Sequence, residues 1–463
     1  MSSIEIFTWK FDDVVFPLTI SLWILFTLIC RGVISGSHVT KWVPESAVLI
    51  LLGLLVAFLL KTIGIPVLAL DPHVFFLYLL PPIIFDAGYF LPSAVFFKNF
   101  DSIMIFAVIG TLWCFFSVGT TIWLLSGYFS FSLSITEIFL FASLISAVDP
   151  VAVIAVFEEL HVNDFLFVTV FGEALYNDAV AIVLYQLCLS LVTLPQELIT
   201  GTAIALKGVS FLVLLLGGAF VGVVFAFLTS IVSRGTKSAP LVGIGLTFMI
   251  PYLGYLVAEM TSVSSLIAIA VCGTAVKPYV SANLGDFSES LGHMIKVVGQ
   301  NAEAISFLFL GVTTLLVEQH FDIYFIVITI AGITVYRAIG VIIQCFLLEK
   351  IRGKKFTKTE QFMFCYGGLR GAIAYALVLG IPDSISAKPL FVTTTTAVVF
   401  FTVFVQGITI RPWLDYLKVA RKQKDSEGES YSPALWERLN RGIIRPILVG
   451  SARVEPEPEQ IAL

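Results

Sequence analysis

Runs of about 20 consecutive apolar residues recur along most of this chain, and each is long enough to cross a lipid bilayer as a helix. No other feature limits the possible folds as strongly, because only helices and closed barrels satisfy their backbone polar groups in lipid. The sequence therefore predicts an all-α polytopic membrane protein with about thirteen transmembrane helices. The predicted spans lie near 14–33, 45–62, 72–91, 101–127, 135–157, 165–192, 205–233, 239–258, 262–277, 291–316, 323–348, 361–381 and 389–411.

The composition supports this class and excludes others. Apolar residues make up 58% of the 463 residues and charged residues only 13%, too few to cover a compact water-soluble particle of this size. The net charge of −5 provides no basic surface for a nucleic acid. The six cysteines have no paired spacing, so we expect neither a disulfide framework nor a zinc site, and we expect no cofactor.

Lysine and arginine mark one side of the membrane. They cluster at Lys350–Lys355, after the eleventh span, and at Lys418–Lys424, after the thirteenth. The positive-inside rule places these loops in the cytoplasm, so the C-terminus is predicted to be cytoplasmic and the N-terminus outside. We divide the chain into a transmembrane domain at 1–412 and a short cytoplasmic tail at 413–463. Within the tail, Ser432 and Pro433 favour the start of a short helix.

We single out eight ionisable residues that lie within the apolar spans or directly beside them. Each costs several kcal/mol unless it faces a cavity or a partner, so each is a functional hypothesis by default. Six are acids and two are arginines, which favours a pathway for cations over one for anions. These residues are Asp86, Asp149, Glu173, Asp178, Glu259, Glu303, Arg337 and Arg370.

Two of the spans contain helix breakers at corresponding positions. In the fifth span Asp149 precedes Pro150, a pattern typical of an N-cap and a first helical position. In the twelfth span three glycines surround Arg370 within Tyr366–Ala372. Spans five and twelve are seven apart, so spans one to six and eight to thirteen form two halves. Such a pair of interruptions is typical of an inverted-repeat transporter, here with two six-helix repeats, whose broken helices cross near the membrane midplane.

The sixth span supplies the candidate ion carrier. At about 100° per residue, Glu173 and Asn177 lie about 40° apart on one helix face, while Asp178 lies about 140° from Glu173. One acid is therefore expected to face a cavity and the other a protein partner. A desolvated carboxylate is easier to protonate, so a cation and a proton can compete for Asp178. This competition predicts exchange of one proton for one monovalent cation, with no net charge moved.

Five sequence motifs resemble those of the sodium/proton exchangers of the cation/proton antiporter-1 family. Their residues are similar to those of the plasma-membrane branch of that family. The motifs extend over most of the chain. They are Leu80–Phe90, Ser146–Val153 continuing to Glu159, Phe171–Val180, Tyr366–Ala374 and Phe400–Gly407.

The resemblance implies an electroneutral exchanger of external Na⁺, or else Li⁺ or K⁺, for internal H⁺, acting as a homodimer in the lipid of the plasma membrane. It implies that Asp178 binds the ion transiently and that Asn177 supports the site. It also implies that Asp149 lies at the crossing of the broken helices, opposite Arg370.

Further roles follow from the same resemblance. Glu173 is expected to form an ion pair with Arg337 of the eleventh span, in agreement with the helical-wheel argument. The resemblance places Asp86, Glu259 and Glu303 near the ion pathway or in the structural core.

The chain departs from the family pattern in two respects. Ala174 stands where the family usually has serine, which removes a hydroxyl from the neighbourhood of the ion. Main-chain carbonyls or water then replace that oxygen, or the cation affinity differs. The family's longer cytoplasmic region binds a calcineurin B-like calcium-binding subunit, and the short tail here argues against this partner.

Two alternatives within transport stay open. A K⁺(Na⁺)/H⁺ exchanger or a cation channel could use the same site, because one carboxylate sets no sharp limit on ion size. An intramembrane enzyme is disfavoured, since the sequence has no His-Glu-x-x-His and no Gly-x-Ser-x-Gly motif.

Overall fold

The computed structural model describes most of the chain. The described residues are 11–36, 43–64, 71–149, 153–154, 156–157, 162–195, 200–236, 238–353, 355–417 and 440–449. The Pro150 position, where the fifth span is predicted to resume, and the predicted helix start at Ser432 lie outside these residues.

The described residues form helices joined by short connections. Further short elements are the helix Ser93–Lys98, the 3₁₀ turn Ser126–Tyr128 and the π-helical turn Asn440–Ile444. In chain order the helices are α1 (Phe11–Ser35), α2 (Glu45–Ile63), α3 (Pro72–Phe90), α4 (Phe100–Leu124), α5 (Ile135–Ile145), α6 (Asp164–Val192), α7 (Gly201–Gly235), α8 (Pro240–Met260), α9 (Ser265–Leu284), α10 (Phe287–Thr314), α11 (Ile323–Arg352), α12 (Lys358–Tyr366), α13 (Ala372–Leu379), α14 (Lys388–Tyr416) and α15 (Arg445–Leu448).

Ten of these helices are long and apolar enough to cross a membrane, namely α2, α3, α4, α6 to α11 and α14. The predicted class, an all-α polytopic membrane protein, is confirmed. Helix α1 has a shorter apolar stretch at Ile20–Ile34, and α5, α12 and α13 are pieces of interrupted spans. The count of thirteen complete crossings stays a prediction.

The two interrupted spans begin in the same way. Ser134 caps α5 by accepting the N–H of Glu137, whose carboxylate in turn accepts the N–H of Ser134. Thr357 and Glu360 form the same reciprocal pair at the start of α12. This capping box satisfies two otherwise unpaired donors at each helix start. Both helices then end after only a few turns, α5 at Ile145 and α12 at Tyr366.

Three of the long helices contain a π-helical turn, in which the hydrogen bonds span five residues instead of four. These turns are Phe75–Leu79 in α3, Ile105–Ile109 in α4 and Phe401–Gln406 in α14. Each turn changes the helix face on which the following residues lie. The turn in α4 precedes a residue that contacts the site, and the turn in α14 contains one.

The helices pack as two groups. One group joins α2, α3 and α7 to α10, with extensive packing of α7 on α9, α2 on α10 and α3 on α9. The other joins α4, α5, α6 and α11 to α14. Glycines allow the closest approach in the first group, because a Cβ at Gly53 or Gly311 would overlap the main chain of the facing helix. The interrupted helices belong to the second group and face the first.

The C-terminal helix α15 packs against α7 and α9. Arg234 donates to the carbonyl of Ile447 at 2.7 Å, and Asn283 donates to that of Leu448 at 3.1 Å. Helix α14 continues to Tyr416, close to the predicted end of the transmembrane domain at 412. The division into 1–412 and 413–463 stays a prediction.

Candidate functional site

A cavity of about 570 Å³ lies between the two helix groups. It extends from the ends of α1 and α2, near Arg31 and Pro44, to the middle of α6. The side chains that line it include both acids and bases. The acids are Glu45, Asp86, Asp149, Asp178 and Glu303, and the bases are Arg31, Lys296 and Arg411.

Asp178 lies in the middle of α6 and lines this cavity. The residue is 4% exposed, and its buried Oδ1 accepts no hydrogen bond from the part of the chain that the structure describes. Asp149 and Arg370 are the charged groups that act on it electrostatically. A carboxylate oxygen that is buried, aimed at a cavity and not paired by the protein is suited to a proton or a small cation.

The two interrupted spans meet at Asp149. Its N–H donates to the carbonyl of Leu369 at 2.8 Å, and the two residues form an isolated antiparallel bridge. This close approach requires glycine at position 371, two residues after Leu369, because a Cβ there would overlap the Asp149 carboxylate. The predicted crossing of the broken helices is therefore present.

Arg370 holds the C-terminal end of α5. Its guanidinium donates to the carbonyls of Ser146 at 3.0 Å and Ala147 at 2.7 Å, and more weakly to the Sγ of Cys114 at 3.6 Å. The residue is 1% exposed. The last carbonyls of a helix carry partial negative charge, so this arginine compensates both the unpaired acceptors and the helix dipole.

Asn177 binds the main chain of the interrupted fifth span at Val148. Its Oδ1 accepts the N–H of Val148 at 2.7 Å, and its Nδ2 donates to the hydroxyl of Thr111 in α4. Both ends of the amide are therefore engaged by the protein, while the neighbouring Asp178 lines the cavity. Asn177 thus acts on the site through the interrupted span.

Glu173 and Arg337 form the ion pair that the resemblance implies. The guanidinium of Arg337 contacts both carboxylate oxygens, with Nη2 2.9 Å from Oε2, and also donates to the carbonyl of Phe364. The carboxylate of Glu173 is nearly fully buried. Because Glu173 is paired here, Asp178 is the acid in the middle of α6 that faces the cavity.

The structure brings most, but not all, of the eight ionisable residues together. Asp86 and Glu303 line the same cavity as Asp149 and Asp178. Glu259 lies elsewhere, exposed at the end of α8, where it accepts a hydrogen bond from Ser265 at 2.6 Å.

Two kinds of residue in the site have no clear signal in the sequence. Arg31 lies near the end of the first predicted span, where a charge is common, yet it joins three helices by donating to Glu45 at 2.6 Å, Asn301 at 3.1 Å and Gln300 at 3.2 Å. Thr402, in a π-helical turn, accepts the N–H of Arg370 at 3.1 Å. A threonine in an apolar span predicts nothing by itself, because its hydroxyl can bond its own helix.

Interrupted helices that cross beside a buried carboxylate, at the end of a cavity between two helix groups, are typical of the class of secondary ion transporters. The comparisons with known proteins identify the family. The model of the sodium/hydrogen exchanger transmembrane family matches residues 24–416. The chain belongs to this family, as the sequence motifs predict.

Two relatives illustrate the similarity. The chain is 47% identical over 424 residues to the probable Na⁺/H⁺ antiporter nhx-9 of Caenorhabditis elegans, a match that covers 91% of this chain and 64% of that protein. It is 43% identical over 444 residues to human sodium/hydrogen exchanger 3, covering 94% of this chain and 52% of that one. The chain therefore spans about half to two thirds of the length of these relatives.

A solved structure has the same fold. The sodium proton antiporter MjNhaP1 of Methanocaldococcus jannaschii at pH 8 superposes with a TM-score of 0.66 over 87% of this chain and 99% of that one. The sequences are 16% identical, so this likeness concerns the fold alone.

Proposed function

We propose that this protein is a secondary antiporter that exchanges extracellular Na⁺ for intracellular H⁺, one for one, and so regulates intracellular pH and sodium. The observation that carries the proposal is the Oδ1 of Asp178, which is buried beside the cavity and accepts no hydrogen bond from the described residues. The names of the relatives, Na⁺/H⁺ antiporter and sodium/hydrogen exchanger, support the same pair of ions.

Exchange follows from competition for one carboxylate. Either a proton or a Na⁺ ion neutralises Asp178, whereas an empty site keeps a charge that is costly to move through a low-dielectric region. Since each loaded form is neutral, no net charge crosses the membrane. A roughly tenfold Na⁺ gradient then supplies about 1.4 kcal/mol, enough to hold about one pH unit.

The surrounding residues keep this carboxylate in place. Arg370 and Asn177 hold the interrupted span by its carbonyls and by the Val148 N–H, and Asp149 adds a second carboxylate to the cavity wall. The Glu173–Arg337 pair fixes α6 against α11 and α12. Asp86 and Glu303 line the approach and attract cations.

The location and assembly belong to the same proposal. We place the protein in the plasma membrane as a homodimer, with the N-terminus outside and the C-terminus in the cytoplasm. Arg31, Lys296 and Arg411 line the cavity in the halves of their helices that the predicted orientation places toward the cytoplasm, so we expect the cavity to open to that side. A calcineurin B-like subunit would require a binding segment in the tail.

The test is flux in proteoliposomes that contain a pH-sensitive dye. Wild type should move protons when Na⁺ or Li⁺ gradients are imposed, and Asp178→Asn should abolish this flux. Glu259→Gln is the matched control, because this exposed carboxylate lies outside the cavity, and it should exchange at the wild-type rate. Normal exchange by Asp178→Asn would refute the proposed ion site.

Ion selectivity and coupling are measured in the same vesicles. A K⁺ gradient should drive less proton flux than a Na⁺ gradient. In a separate measurement, on a voltage-clamped membrane that carries the protein, a current in a Na⁺ gradient without opposing proton movement would instead identify a channel.

A further inference from the structure

Thr111 is a residue of α4 that no part of the proposed exchange uses, yet it contacts the centre of the site. It is fully buried, with 0% of its surface exposed. Its hydroxyl donates to the carbonyl of Ala107, one turn earlier, at 2.5 Å and accepts a hydrogen bond from the Nδ2 of Asn177. The described part of the site thus contains a hydrogen-bond relay, which runs from the carbonyl of Ala107 through the side chains of Thr111 and Asn177 to the N–H of Val148.

This relay determines which way the Asn177 amide points. An amide has an acceptor at one end and a donor at the other, and the two ends have nearly the same shape. The Thr111 hydroxyl already donates to Ala107, so it can only accept from Asn177. Nδ2 must therefore face α4, and Oδ1 must face the N–H of Val148.

The orientation of this amide bears on the ion site through the main chain. Val148 directly precedes Asp149, whose N–H is held by Leu369 at 2.8 Å. If the amide were reversed, Nδ2 would confront the Val148 N–H, leaving a buried donor without an acceptor. The interrupted span would then shift, together with the Asp149 carboxylate that lines the cavity beside Asp178.

The local structure of α4 aims Thr111 at this position. The π-helical turn Ile105–Ile109 ends two residues before it, and such turns rotate the residues that follow relative to a regular α-helix. Cys114, one turn further along the same helix, contacts Arg370. One face of α4 therefore supports both side chains that hold the end of α5.

We propose that Thr111 is a positioning residue for cation binding, acting through the orientation of Asn177. The inference rests on the proposed exchange at Asp178 and adds a determinant of its affinity. The competing explanation is that the hydroxyl only satisfies its own helix, as the hydroxyl of Thr247 does by donating to Gly243 at 2.8 Å. Thr247 is 1% exposed and lies in α8, far from the interrupted span, so it provides a matched control.

The experiment compares Thr111→Val, Thr111→Ser and Thr247→Val by Na⁺-dependent proton flux in proteoliposomes. Thr111→Val should raise the KM for Na⁺ about tenfold while kcat stays within about twofold, because the loss concerns ion binding. Thr111→Ser keeps the hydroxyl and should restore the wild-type KM, and Thr247→Val should leave both constants unchanged. An unchanged KM in Thr111→Val would overturn the proposal.

A second measurement does not depend on transport. Thermal unfolding in detergent of Thr111→Val, Asn177→Ala and the double variant gives the coupling between the two side chains. We expect Thr111→Val to lower Tm in the wild-type background but not in the Asn177→Ala background. Additive effects would overturn the relay, even if the wild type showed no exchange, so this result separates failure of the relay from failure of the proposed function.

Discussion

Arg337 holds Glu173 by both carboxylate oxygens, and the same guanidinium donates through Nε and Nη2 to the carbonyl of Phe364. One arginine thus fastens α6 to α11 and to the end of α12, where the second interrupted span breaks. Buried charges of this kind are stable only as a pair, since each compensates the desolvation of the other.

We expect Arg337→Ala to lower the free energy of unfolding by about 3–5 kcal/mol, because it leaves the Glu173 carboxylate buried and unpaired. Thermal unfolding in detergent, followed by size exclusion, measures the loss. The double variant Glu173→Gln with Arg337→Met removes both charges and should recover much of the stability. A wild-type Tm for Arg337→Ala alone would contradict this account.

Gly371→Ala should disrupt the crossing of the interrupted spans. The added Cβ would overlap the Asp149 carboxylate, so either Asp149 or the main chain at the break must move. We expect a loss of exchange of at least tenfold with a smaller loss of stability. Gly245→Ala in α8 is the matched control, because nothing lies within 4 Å of its Cβ and alanine favours helix.

Measurements of flux and Tm for both glycine variants test whether Gly371→Ala impairs exchange more than stability. If Gly371→Ala exchanges like Gly245→Ala, close contact at the crossing is not required for transport.

The comparison of sequence and structure shows what pattern alone can predict. The spans, the breaks at Asp149 and Arg370 and the separation of Glu173 from Asp178 follow from hydropathy, helix breakers and helical periodicity. These signals are local, so one sequence is enough to see them.

The rest depends on contacts between distant segments. Arg31 meets Gln300 and Asn301 across 269 and 270 positions, and Thr111 meets Asn177 across 66. No local pattern distinguishes these side chains from any arginine near the end of a span or from a threonine bonded to its own helix. Glu259 shows the opposite case, since its place at the end of an apolar span suggests a site and the fold leaves it exposed.

Asp322, in the loop before α11, predicts a dependence of stability on pH. It is buried and accepts the N–H groups of Ser130 at 2.7 Å, Tyr324 at 3.0 Å and Phe325 at 3.1 Å. Burial alone would raise the pKa of Asp322, but these hydrogen bonds outweigh it and hold the pKa below its usual value. The stabilisation is present above about pH 4, the unfolded value, and is lost as the pH falls through the folded pKa.

The measurement is Tm between pH 6 and pH 3 for wild type and Asp322→Asn. Asparagine caps a helix about as well as aspartate but carries no charge. The variant should therefore be less stable than wild type at pH 6, by about 1 kcal/mol, and the difference should shrink toward pH 3. Parallel curves for the two proteins would rule out this role of the carboxylate.

Ala174 lies one helical turn before Asp178 on α6, so the two side chains share a helix face. The family usually has serine at this position, and a hydroxyl there would offer an oxygen to a cation bound at Asp178. We expect Ala174→Ser to lower the KM for Na⁺ by about two- to fivefold, because hard cations prefer oxygen ligands. Ala226→Ser, in the buried face of α7, introduces the same hydroxyl away from the cavity and should change nothing. Equal KM values for wild type and both serine variants would mean that main-chain carbonyls or water already complete the shell around the ion.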